Sequence, residues 1–147
     1  MALELLFGSR DTEYLSLEVL RREHDGADDY WDGNWVITNI HLVVGAFTAS
    51  FAASLRMDEI HRLNEGLKVM QQNVFGAAVL DSMEHWMELK IRCDAGGHLS
   101  ISGWLSDAPA NGNRLSFELP DKDQTYLPEW IGSLDAIEGA FPVLGSP

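Results

Sequence analysis

Two groups of residues in this sequence are of a type and spacing that could do chemistry. Glu84-His85, with His98 further along, pairs a carboxylate with imidazoles, as acid–base catalysis and metal ligation both require. Asp25, Asp28, Asp29 and Asp32 crowd around Tyr30 and Trp31, where carboxylates could take up calcium or meet a basic surface. Each group also has a plainer reading. His98 directly follows Gly96-Gly97, so helping to close a turn accounts for it. With Asp25 as the first position of a calcium loop, Ala27 falls on a ligand position and Tyr30 on the required glycine, so that match fails. The remaining chemistry is thinner. Ser100 and Ser102 lie within an alternating strand pattern rather than at a strand-to-helix elbow. Cys93 shares an apolar face with Leu89 and Ile91 and reads as a small core residue. No glycine-rich phosphate loop is present. The sequence therefore assigns no catalytic residue, no metal ligand and no cofactor.

The elements that must position these groups follow from periodicity. Glu13 to Glu23 alternates, with Leu15, Leu17 and Val19 on one side, as a half-buried strand does. The acidic loop comes next. Trp35 to Val44 and Ala46 to Leu55 predict two more strands, with Gly45 between them as a bend. Gly33 to Leu55 carries no formal charge and could span a bilayer by length. Its polar groups recur at strand spacing and no cationic cluster flanks it, so it reads as sheet core and not as a membrane span. The period then changes. Ile60, Leu63, Leu67, Met70 and Val74 form one helical stripe, with Asp58 as the expected cap and Gly76 as the expected stop. Strands resume at Ala77–Leu80, Met87–Cys93, Leu99–Leu105 and Leu115–Leu119, with a turn at Asp94–Gly97. A second stripe, Leu127, Trp130, Ile131, Leu134 and Ile137, closes the chain behind Thr125. The order strands–helix–strands–helix with short turns predicts an α+β fold: a single domain over residues 1–147, with a mostly antiparallel sheet and two helices packed on one face.

Composition bounds the function. At 147 residues, 46% hydrophobic and 22% charged, the chain is an ordinary globular one. One cysteine excludes an internal disulfide and fits a reducing cytoplasm. The net charge of −13 argues against nucleic acid as a partner, because phosphate binding relies on lysine and arginine. That charge is uneven: Asp11–Asn34 carries −6 and Glu118–Glu138 carries −5. Such a surface suits a basic protein partner, with Asp25, Asp28, Asp29, Tyr30, Trp31 and Asp32 as the candidate contact residues and Trp31 as an aromatic anchor.

Several landmarks, taken in order, resemble the WapI-like family of small bacterial immunity proteins. They are Asp29-Tyr30-Trp31-Asp32-Gly33-Asn34-Trp35, Gly45-Ala46-Phe47, Ser82-Met83-Glu84, Gly96-Gly97-His98, Asn113 and Asp123-Gln124-Thr125-Tyr126-Leu127. The resemblance covers the chain from about Asp29 to Val143. It implies a cytoplasmic antidote that binds the C-terminal domain of a contact-dependent toxin, often a nuclease, and is not an enzyme. Two rival readings stay open at this stage: a non-catalytic scaffold or homo-oligomer subunit, and an enzyme built on Glu84, His85 and His98.

Overall fold

A computed structural model describes residues 3–147. Eight strands follow in chain order: β1 (Glu4–Gly8), β2 (Tyr14–Arg22), β3 (Trp35–Val44), β4 (Phe47–Arg56), β5 (Gly76–Asp81), β6 (Met87–Cys93), β7 (His98–Ser106) and β8 (Arg114–Asp123). Helix α1 (Tyr30–Gly33) is one short turn between β2 and β3. Helix α2 (Met57–Asn73) separates β4 from β5, and α3 (Leu127–Ala140) follows β8 through a 3-10 turn at Gln124–Tyr126. The fold is α+β and every strand pairing is antiparallel. The strands divide into two four-stranded sheets, β1-β2-β3-β4 and β5-β6-β7-β8, and the chain passes from one to the other through α2.

The alternation read from sequence is what buries each strand. Leu15, Leu17 and Val19 of β2, Val36, Ile40 and Leu42 of β3, and Leu89, Ile91 and Cys93 of β6 all lie in one hydrophobic core. Both helical stripes face that core, with Ile60, Leu63, Leu67 and Met70 from α2 and Leu127, Trp130, Ile131, Leu134 and Ile137 from α3; Val74, expected to extend the first stripe, is exposed because it lies past the last turn of α2. Trp130 meets Phe7 of β1 edge-on, with ring centroids 4.8 Å apart. The uncharged stretch up to Leu55 forms β3 and β4, and no helix among the described residues is long and apolar enough to cross a membrane.

Local signals differ from expectation where a tertiary contact competes. Asp58 does not cap α2; it lies in the first turn, and its carboxylate is drawn to Arg56 at 2.8 Å and Arg62 at 3.0 Å. The cap position is Arg56, whose N–H donates to the Glu59 carboxylate at 2.9 Å. Val74, not Gly76, takes the left-handed conformation that ends α2. Thr125 lies within the 3-10 turn, which Asp123 caps.

Gly66 costs helix propensity for a packing reason. A Cβ there would come within 2.8 Å of the Ala78 Cβ on β5, so the glycine lets helix and strand approach. Gly66→Ala should therefore destabilise the protein by about 1 kcal/mol, because overpacking of about 1–3 kcal/mol outweighs a propensity gain of about 1 kcal/mol. Chemical denaturation of the two proteins measures the difference, and a more stable alanine variant would show that α2 can move away from β5 freely.

Candidate functional site

The acidic loop between β2 and β3 is built from its own side chains and then clamped from two distant parts of the chain. Locally, the Asp29 carboxylate accepts from the Asp32 N–H at 3.1 Å, and the Gly33 N–H donates to the Asp29 carbonyl at 2.9 Å, which closes α1. The Ala27 N–H donates to the His24 carbonyl at 3.2 Å and bends the approach.

The first clamp is Arg56, at the end of β4 and only 1% exposed. Its two terminal nitrogens donate to the carbonyls of Trp31 and Tyr30, each at 2.8 Å, and its Nε donates to Asp58 at 2.8 Å. The guanidinium also lies 4.9–5.5 Å from the ring centroids of Trp35, Tyr30 and Trp31. A planar cation with forked donors can bond two carbonyls and a carboxylate at once, which lysine cannot. Nothing in the local sequence marks Arg56 as part of the loop, since it lies 25 residues beyond Trp31. The available signal was a lone cation ending a long uncharged run, ahead of a helix.

The second clamp is the segment after α3. The buried Asn34 side chain accepts from the Leu144 N–H and donates to the Leu144 carbonyl, both at 2.9 Å, and donates also to Tyr30. Arg22 donates to the carbonyls of Gly33 and Pro142, each at 2.7 Å, tying the same two segments together. Gly145 fits this contact because its φ is +63° and a Cβ would stand 3.0 Å from the Tyr30 nitrogen.

What the clamped loop presents is charge and one aromatic. Asp25, Asp28, Asp29 and Asp32 are all exposed, and none of them makes an ion pair among the described residues. Trp31 is 56% exposed and stands edge-on to Tyr30, with centroids 5.0 Å apart. The second acidic region behaves differently. Asp135 is taken by Lys68 at 3.1 Å and by Asn64 at 2.8 Å, and Glu138 by Asn64 at 2.6 Å and by His61. Those bonds staple α2 to α3, and those from Asn64 and Lys68 hold the Asp135 carboxyl below its ordinary range. The two clusters therefore differ in kind: Asp25, Asp28, Asp29 and Asp32 have no cationic partner among the described residues, whereas Asp135 and Glu138 are matched by side chains of α2.

Beneath the loop, Glu59 is buried and accepts from the N–H groups of Arg56 at 2.9 Å and Met83 at 2.6 Å. Burial pushes its carboxyl up to about 7, against the opposing pull of those two N–H bonds and Arg56.

The other chemistry-bearing residues are not brought together. His98 begins β7, while Trp86, next to His85, accepts from the Ser106 N–H at the far end of that strand. Glu84 and His85 are thus about 25 Å from His98, at 3.3 Å per strand residue. His98 instead donates its N–H to Asp94 at 3.0 Å, closing the β6–β7 turn. Cys93 is buried. Among the described residues no three His, Cys, Asp or Glu side chains are grouped to hold a metal ion.

Comparison with known proteins adds one decisive match: residues 5–142 fit the model of the Immunity protein WapI-like family. The chain belongs to that family. Its role is accordingly in toxin immunity. No curated protein and no solved structure matches the chain. The WapI-like match begins within β1 and ends beyond α3, so it takes in both sheets, the acidic loop and Arg56.

Proposed function

We propose that this WapI-like immunity protein acts in the cytoplasm by occlusion, not catalysis. It binds the C-terminal domain of its cognate toxin through Asp25, Asp28, Asp29, Tyr30, Trp31 and Asp32. The partner surface is basic, as the substrate cleft of a nuclease would be. One observation carries this reading: four exposed carboxylates without cationic partners share with an exposed tryptophan a loop whose backbone is held from two sides. Free carboxylates steer a cationic partner, and a pre-ordered aromatic anchors it without an ordering cost. Asp135 and Glu138 of α3, already paired with α2, offer a basic partner less.

The test uses the toxin domain encoded beside this protein and stopped-flow association at several salt concentrations. Reversing Asp25, Asp28 and Asp32 to lysine should slow association by about ten- to a hundred-fold while leaving the melting temperature unchanged. Asp29 is left out because its carboxylate caps α1. Trp31→Ala should act mainly on dissociation, weakening binding by about 2 kcal/mol. An association rate unmoved by the triple reversal and insensitive to salt would remove the acidic loop from the reading.

A further inference from the structure

Of the four sheet edges, three are blunted in the usual ways. β1 is five residues long and carries Glu4; β5 is six residues long, with α2 against it at Gly66; β8 contains Glu118, Pro120, Asp121, Lys122 and Asp123 and a register shift opposite Leu99/Ile101. β4 has none of these protections. It runs ten residues in unbroken register with β3, and from Phe47 to Leu55 it holds no charge and no proline.

The direction of its free backbone groups follows from the hairpin. The two-residue turn Gly45-Ala46 makes Val44 and Phe47 a hydrogen-bonded pair, and bonded pairs then recur at every second residue. Phe47, Ala49, Phe51, Ala53 and Leu55 thus bond to β3, while Thr48, Ser50, Ala52 and Ser54 point their N–H and C=O groups outward. Arg56 continues that outward series, and its N–H goes to Glu59 and not to β3. Thr48, Ser50 and Ala52 are exposed, and no hydrogen bond among the described residues reaches their outward backbone groups. Beside this half of the strand runs a groove of about 370 Å³, floored by Phe51, Leu105 and Leu115, with Asp107 and Arg114 among its lining residues.

We infer that β4 is a pairing edge for a second copy of this chain, joined antiparallel about a two-fold axis at Ser50. The core-facing row reads Phe47, Ala49, Phe51, Ala53, large and small in turn. Pairing Ser50 with Ser50 of the other copy sets each phenylalanine opposite an alanine, and it matches outward backbone groups with outward ones. A shift by two residues in either direction opposes phenylalanine to phenylalanine. Charge permits this pairing: two chains of net −13 repel, and Phe47 to Leu55 is a stretch to which neither copy contributes a charged residue. The groove, with one charge of each sign, is neutral too.

Sedimentation of the full chain across the micromolar to submillimolar range is the test, beside Ser50→Pro and Ala52→Lys. Ser50→Pro removes an outward N–H and no backbone bond to β3, giving up only the exposed bond between the Ser50 hydroxyl and His41 at 3.0 Å, and Ala52→Lys adds an exposed charge; thermal denaturation of both variants checks that they keep the fold. The wild type should approach twice 16.4 kDa, and each variant should need about ten-fold higher concentration to associate. Oxidised Ser50→Cys should run as a covalent dimer, since bonded antiparallel partners lie about 5.5 Å apart at Cα, while Thr48→Cys should not. A wild type monomeric throughout, variants that associate as tightly as the wild type, or a Thr48→Cys variant that cross-links as readily would each overturn the inference. Protection of β4 amides from exchange by the toxin domain alone would also overturn it, and would give the edge to the toxin.

Discussion

Replacing Arg56 with alanine should cost about 3–5 kcal/mol of stability, the usual penalty for removing one partner of a buried ion pair. For a chain of this length that lowers the melting temperature by about 10 °C. The loss has three parts that act together. Asp58 would keep only Arg62, whose side chain is 67% exposed; the carbonyls of Tyr30 and Trp31 would lose their donors; and the three rings around the guanidinium would lose its cation. Arg56→Lys should recover less than half of this, because one ammonium cannot reach both carbonyls and the carboxylate. Thermal denaturation gives the stability, and amide exchange at residues 30–34 gives the loop. The two should fall together, with toxin affinity following the loop. Unchanged exchange in a destabilised Arg56→Ala protein would show that the second clamp alone holds the loop.

The second large effect is a fall in stability as pH rises, centred on Glu59. Its carboxyl titrates at about 7 in the folded protein, above the ordinary 4.5, so the folded state binds the proton more tightly than the unfolded chain. Stability from this group is therefore complete below about pH 4.5 and is lost as pH rises to about 7. The shift corresponds to about 3 kcal/mol. Below that window the sign reverses, because Glu4, Asp94, Asp123 and Asp135 have lowered values and lose their contributions on protonation. Urea denaturation at about pH 5 and about pH 8 reads the difference. Glu59→Gln should flatten the slope between those points, at a cost of about 1 kcal/mol for the N–H of Arg56 or Met83 left without an acceptor. A variant with the slope of the wild type would place the pH dependence elsewhere.

How far these features could be read from the sequence depended on the distance over which each is decided. Strands β2, β3, β4, β6 and β7 announce themselves by alternation, and α2 and α3 by their stripes, because burial of one face imposes a period on neighbouring residues. β1 gives no such signal: Glu4 breaks its short apolar run, and its burial depends on Phe7 meeting Trp130 of α3. The division into two sheets is equally silent, since pairing partners are chosen across the whole chain. The acidic loop could be recognised as a cluster of carboxylates and aromatics, but not as a rigid one. Its rigidity comes from Arg56, Asn34 and residues 142–145, and only Asn34 lies next to it. Glu84 and His85 failed for the converse reason: they looked close to His98 until the hairpin register put a whole strand between them.

The bond between Asn34 and Leu144 spans 110 residues, and so it has an order in time. A ribosome delivers the acidic loop early, but the backbone that closes its second clamp arrives only after α3. Until then the loop has only its own cap and Arg56 to hold it, and the doubly clamped form exists only after synthesis has passed residue 144. The same dependence reaches the bench: a tag or fusion that strains residues 142–145 would weaken capture of a partner at a loop far away in sequence, without unfolding either sheet.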